Sequence, residues 1–112
     1  MWDQNSIKQR CRVVASTASV ITDRADDLVE ACRSGQRVDP VETITGELFP
    51  LCAALKFVGR HGPRVLKSRR VGFWGRPLWI PGVHSVVQRV PHGEVLVLGT
   101  WNYPVLLAGV QI

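Results

Sequence analysis

Along residues 7–32 the apolar or small positions Ile7, Cys11, Val14, Ala18, Ile21, Ala25, Leu28 and Cys32 recur at alternating steps of four and three, one stripe of an amphipathic helix. Lys8, Arg12, Asp23, Asp26 and Glu30 fall on the opposite face. The stripe is rich in Ala and Cys and lacks the Leu and Ile density of a coiled coil, so it predicts packing on a neighbouring element. Ser34-Gly35 supplies the stop, with the glycine expected in the left-handed conformation that ends many helices. A second helix is signalled at Asp39, where Asp39 can cap, Pro40 suits the first turn and Glu42 can reach back to complete a capping box. Its predicted buried face is Val41, Ile44, Leu48, Leu51, Leu55 and Val58. A kink or restart is expected at Pro50, and Gly59 and Gly62-Pro63 are expected to close the helix.

Beyond Pro63 the period changes. The stretches LWI (78–80) and VHSVVQRV (83–90) read as strands of an antiparallel ribbon joined at Pro81-Gly82. Val95, Leu96, Val97 and Leu98 are apolar on both faces, which predicts a strand buried inside a parallel sheet. Such pairing needs a crossover and a second strand of the same kind, and the sequence offers this one candidate. The pattern therefore predicts an α/β chain in three parts: N-terminal helices over 1–62, a basic loop and strand ribbon over 63–93, and over 94–112 the first βα element of an incomplete Rossmann-type domain.

Composition narrows this picture. At 112 residues, 46% hydrophobic and 21% charged, the chain is globular in composition rather than disordered, yet short for an enzyme with separate cofactor and substrate domains. Residues 1–10 hold no apolar run, so no secretory signal is expected and a cytoplasmic location follows. Residues 95–112 carry no charge, but Gly99, Thr100, Asn102 and Pro104 in their middle would break a membrane helix, so no membrane association is expected. Cys11, Cys32 and Cys52 are predicted to be reduced, small buried hydrophobes. His61, His84 and His92 have no ligand spacing, and no metal site is expected.

The formal charge of +5 traces largely to Arg60, Arg64, Lys67, Arg69, Arg70 and Arg76, a run with no acidic residue, beside Phe73, Trp74 and Trp79. Cations interleaved with aromatics leave open a small nucleic-acid-binding module, and the long N-terminal helix and the strand ribbon leave open an oligomerisation module. A solvated loop or a surface facing an acidic neighbour is the default for such a run, and nucleic acid is not the favoured partner.

Candidate chemistry lies at Gly99, Thr100, Trp101, Asn102, Tyr103 and Pro104, at the carboxyl end of the predicted buried strand, where open α/β sheets place ligands. A side-chain amide held in a turn is a suitable donor to an oxygen that gains negative charge, worth roughly 3–4 kcal/mol in oxyanion holes. The competing role for Asn102 is to satisfy its own turn backbone.

The stretch PHGEVLVLGTWNYPVLLAGVQ resembles the P-x-G-x-V-L-V-I-x-P-W-N-Y-P region of the aldehyde dehydrogenase superfamily, particularly its class 3-like branch. GELFPLCAALKFVGRHGPRVL and GRPLWIPGVHSVVQRVP resemble the helical lead-in and strand ribbon before that motif, so the likeness covers about residues 5–112. It implies the N-terminal portion of an enzyme that oxidises a small-molecule aldehyde to an acid with NAD or NADP, through a covalent thiohemiacetal. It also implies that Asn102 is the catalytic oxyanion donor, that Thr100, Trp101 and Asn102 border the nicotinamide end of the cofactor, and that the ribbon serves a homo-oligomer. The sequence departs from the motif at Thr100, where proline is frequent, and at Glu94, which puts a charge before the apolar strand. The family's lysine, Gly-rich cofactor turn, catalytic glutamate and nucleophilic cysteine have no counterpart in residues 1–112, and none of the three cysteines has the nucleophile's context. Without nucleophile and base the covalent route is closed, so the chain alone is predicted to be inactive.

Overall fold

A computed structural model describes residues 4–72, 79 and 82–112 of the chain. Its elements are α1 (Ile7–Asp23), α2 (Ala25–Ala31), α3 (Pro40–Thr43), a π-helical turn (Ile44–Leu48), α4 (Phe49–Val65), β1 (Arg69–Arg70), β2 (Val86–Val87) and α5 (Leu106–Gly109).

Helix α1 opens on a capping box. The Gln9 N–H donates to Ser6 Oγ at 3.3 Å, and the Ser6 N–H donates to Gln9 Oε1 at 2.8 Å, so the pair satisfies reciprocal donors at the helix start. Every member of the predicted stripe is buried or half-buried, and the five opposite charged positions are exposed. The expected single helix is interrupted at Arg24 (φ −110°, ψ 22°), which separates α1 from α2. Hydroxyls of Ser16, Ser19 and Thr22 donate to carbonyls one turn back, and such back-bonding bends helices.

Small residues bring α1 and α4 together. A Cβ placed on Gly59 would lie 2.6 Å from Ala15 Cβ, and one on Gly62 would lie 2.7 Å from Cys11 Sγ. The Cys52 thiol reaches the Ala18 carbonyl at 3.6 Å. Position rises along α1 as it falls along α4, so the two helices are antiparallel. These glycines do not close the helix as predicted: α4 continues through Gly62 and Pro63 to Val65, because the glycines serve the seam.

The kink predicted at Pro50 is a π-helical turn. The Phe49 N–H donates to the Ile44 carbonyl, five residues back, and α4 starts with Pro50 in its first turn. One inserted residue rotates the preceding segment by about 100°. That rotation corrects the predicted buried face: Leu48 and Leu51 are buried and Leu55 and Val58 half-buried, but Val41 and Ile44 are exposed, and Thr43 and Glu47 take their places. Asp39 caps α3 through the Val41 N–H at 2.9 Å.

Gly35 is also corrected. Among the described residues the left-handed glycines are Gly82 and Gly93, both at φ 85°. Helix α2 ends at Ala31 with Cys32 as its cap, and the turn after it is closed by reciprocal backbone bonds between Ser34 and Arg37 at 3.0 and 3.1 Å.

The ribbon is antiparallel, with Arg69 opposite Val87 and Arg70 opposite Val86. The partner of the VHSVVQRV stretch is thus the basic segment at 69–70; Leu78 and Ile80 of the predicted LWI strand lie outside the described residues. The predicted strand at 95–98 does not form: Leu96 is 84% and Leu98 80% exposed, and β1 and β2 are the strands among the described residues. A strand has no hydrogen bonds within itself and exists through its neighbours. The fold is therefore mostly helical with a two-stranded antiparallel ribbon, and the first βα element of a Rossmann-type domain is not formed. The molecule is elongated, with extents of 65 × 27 × 24 Å and 9175 Å² of accessible surface. A compact globule of this mass exposes about 6100 Å².

Candidate functional site

The predicted site residues lie on the turn between 99 and 104. Thr100, Trp101 and Asn102 are exposed, Trp101 to 80%. Trp101 and Asn102 line a pocket of about 250 Å³ together with Cys32, Ser34, Gln36, Arg37, Glu42 and Tyr103; Thr100 is not in its wall. The Asn102 side-chain amide makes no hydrogen bond to the described residues, whereas its backbone carbonyl accepts from Arg37 Nη2.

Arg37 and Glu47 hold this turn from beneath, and sequence reasoning missed both. The Glu47 side chain is fully buried and that of Arg37 is 12% exposed. Arg37 Nη1 donates to Glu47 Oε1. Glu47 Oε2 accepts the N–H groups of Val105 and Leu106 at 2.8 and 3.1 Å, two of the donors that a helix start leaves without intrahelical partners. The Arg37 guanidinium also lies 5.3 Å from the centre of the Tyr103 ring. Each oxygen of the buried carboxylate is thus partnered, the condition under which a buried charge is tolerated; removing one partner from such a pair costs about 3–5 kcal/mol. The signal was present in the sequence: Ile44, Glu47, Leu48 and Leu51 follow the i, i+3, i+4, i+7 spacing of a buried face, with a carboxylate inside it.

Helix α5 extends from the turn onto α4, where a Cβ on Gly109 would lie 2.8 Å from Leu51 Cδ2. Cys32 stands in the pocket wall as a neutral thiol. Burial pushes its pKa up from the ordinary 9.0, the Glu47 carboxylate adds to the rise, and Arg37 opposes it. Cys11 is buried and Cys52 half-buried, and all three thiols are free. Among the described residues no group of three or more His, Cys, Asp or Glu could hold a metal ion, and no helix is long and apolar enough to cross a membrane.

The basic run has its own geometry. Arg64, Lys67, Ser68, Arg69 and Arg89 line a groove of about 550 Å³ between the end of α4 and the ribbon. Trp79 is exposed, while Phe73, Trp74 and Arg76 lie outside the described residues.

The sequence model of the aldehyde dehydrogenase family matches residues 1–112, and the chain belongs to that family. It is similar to the 4,4'-diapolycopene aldehyde oxidase of Methylomonas sp., with 27% identity over 104 residues that cover 93% of this chain and 19% of that protein. It is similar also to the succinate-semialdehyde dehydrogenase (NADP(+)) of Deinococcus radiodurans, with 23% identity over 105 residues, 92% of this chain and 20% of that protein. The chain spans about a fifth of the length of these curated relatives. No solved structure matches it.

Membership implies NAD(P) as the family's cofactor. The described residues do not by themselves fit a dinucleotide. Glu47 occupies the Val105 and Leu106 amides after the turn, so this pair is not free to cradle a phosphate, and the turn supplies only exposed side chains.

Proposed function

We propose that this chain is the N-terminal portion of an NAD(P)-dependent aldehyde dehydrogenase of the class 3-like branch, and that it does not oxidise aldehydes alone. Residues 1–62 form its helical lead-in, 63–93 an oligomerisation ribbon, and 94–112 the opening of the dinucleotide-binding domain. In that setting 95–98 pairs within a parallel sheet, which covers the apolar side chains now exposed. Asn102 donates its side-chain N–H to the oxygen of the aldehyde as it gains negative charge, and Thr100 and Trp101 border the cofactor. One observation carries this reading: the Asn102 backbone is held by Arg37 while its side-chain amide is exposed and makes no bond within the described residues. An Asn serving its own turn would accept a backbone N–H at its side-chain carbonyl, and Asn102 accepts none among the described residues.

Two measurements test the reading. The purified 112-residue chain, mixed with NAD or NADP and a panel of aliphatic and aromatic aldehydes, forms no reduced cofactor above a blank; turnover would overturn the inactivity. The DNA downstream of codon 112, read in all frames, encodes a second apolar strand, a lysine-bearing turn and a Gly-rich loop. Their absence from every frame would overturn the assignment to a larger dehydrogenase.

A further inference from the structure

We infer that Glu47 and Arg37 are positioning residues for Asn102, acting as a buried two-sided clamp that fixes the 101–106 turn from the helical layer. The inference rests on the proposed role of Asn102. The clamp has three grips on three successive parts of the turn. Arg37 Nη2 donates to the Asn102 carbonyl, its guanidinium lies over Tyr103, and Glu47 Oε2 takes the amides of Val105 and Leu106. The Arg37–Glu47 pair joins these grips, so the turn is anchored on both sides of Pro104 to one rigid unit.

The origin of each partner explains why the unit is rigid. Arg37 leaves a turn closed by the reciprocal Ser34–Arg37 bonds, which aim it inward. Glu47 sits on the π-helical turn, on the buried face it shares with Leu48 and Leu51, while the turn's extra residue carries Ile44 out of that face. π-Helical turns are frequent at functional positions. An oxyanion donor is effective when its direction is fixed before the reaction, since no reorganisation is then spent during it. Neither Glu47 nor Arg37 needs to touch substrate; each acts through the backbone of the turn.

The test uses the full 112-residue chain and needs no activity, so it is separate from the tests of the proposed function. Amide hydrogen exchange is followed by NMR at Val105 and Leu106, with Val14 and Leu55 in the α1–α4 pair as references. In Arg37→Ala and Glu47→Gln, protection of Val105 and Leu106 falls about 10- to 100-fold, as expected for loss of a hydrogen bond to a charged group, and the references are unchanged. Arg37→Lys keeps a cation beside Glu47 but has no fork to span both acceptors. It retains the protection of Val105 and Leu106, while the Asn102 side-chain amide resonances broaden or split as the carbonyl grip is lost. Equal loss at the turn and at the references, or no loss at the turn, overturns the clamp. Should Glu47→Gln unfold the chain, Arg37→Lys decides alone: unaltered Asn102 resonances overturn the positioning role.

Discussion

Adding one methyl group at Gly59 probes the seam on which the helical layer depends. The new Cβ would stand 2.6 Å from Ala15 Cβ, whereas carbon atoms rest comfortably at about 3.5–4.0 Å, so α1 and α4 must part by roughly 1 Å. Overpacking of this kind costs about 1–3 kcal/mol. Alanine inside a helix recovers about 0.5–1 kcal/mol relative to glycine, which leaves a net loss on the order of 1–2 kcal/mol. For a chain of this size that lowers Tm by about 4–8 °C per kcal/mol. Thermal unfolding followed by far-UV circular dichroism measures it on four proteins: the parent, Gly59→Ala, Ala15→Gly with Gly59→Ala, and Gly35→Ala. Gly35 has nothing within 4 Å of its added Cβ and no left-handed φ, so its variant melts with the parent or slightly above. The double variant returns the methyl's space and regains part of the loss. A Gly59→Ala protein that melts at or above the parent refutes the close seam.

Two further expectations follow from local chemistry. Because folding favours the neutral Cys32 thiol, its contribution to stability is complete below the ordinary thiol value of 9.0. That contribution is lost as pH rises through this value toward the raised folded pKa; Cys32→Ser removes the loss, and in the folded parent the alkylation rate of Cys32 has its midpoint above 9.0. Ser6→Ala removes the capping hydroxyl at the start of α1 and costs about 1 kcal/mol, read as a lower urea midpoint at unchanged slope.

Much of the helical layer was legible because its cause is local. The 7–32 stripe gave the inward face residue by residue, and Asp39-Pro40 gave the start of α3. The errors share a different origin. A glycine reads alike whether it stops a helix or admits a neighbour, so the sequence pattern at Gly59 and Gly62 predicts stops where the glycines serve the contact with α1. The phase of the second stripe holds from Leu48 onward and fails at Val41 and Ile44, because the π-helical turn inserts a residue that periodicity does not count. The pairing partner of Val86–Val87 and the fate of 95–98 both turn on strands elsewhere, and no local pattern specifies a partner.

The sequence by itself determined the inward face of residues 7–32 and that of the second helix from Leu48 onward, the capped helix start at Asp39, the break before Pro50 and the W-N-Y-P turn that carries Asn102. These follow from side-chain spacing, a missing N–H and a contiguous motif. Tertiary structure alone decided that Arg37 and Glu47, ten residues apart, meet beneath a turn more than fifty residues further on. A buried carboxylate needs a cation and free amides, and only the packed chain brings those partners to one place.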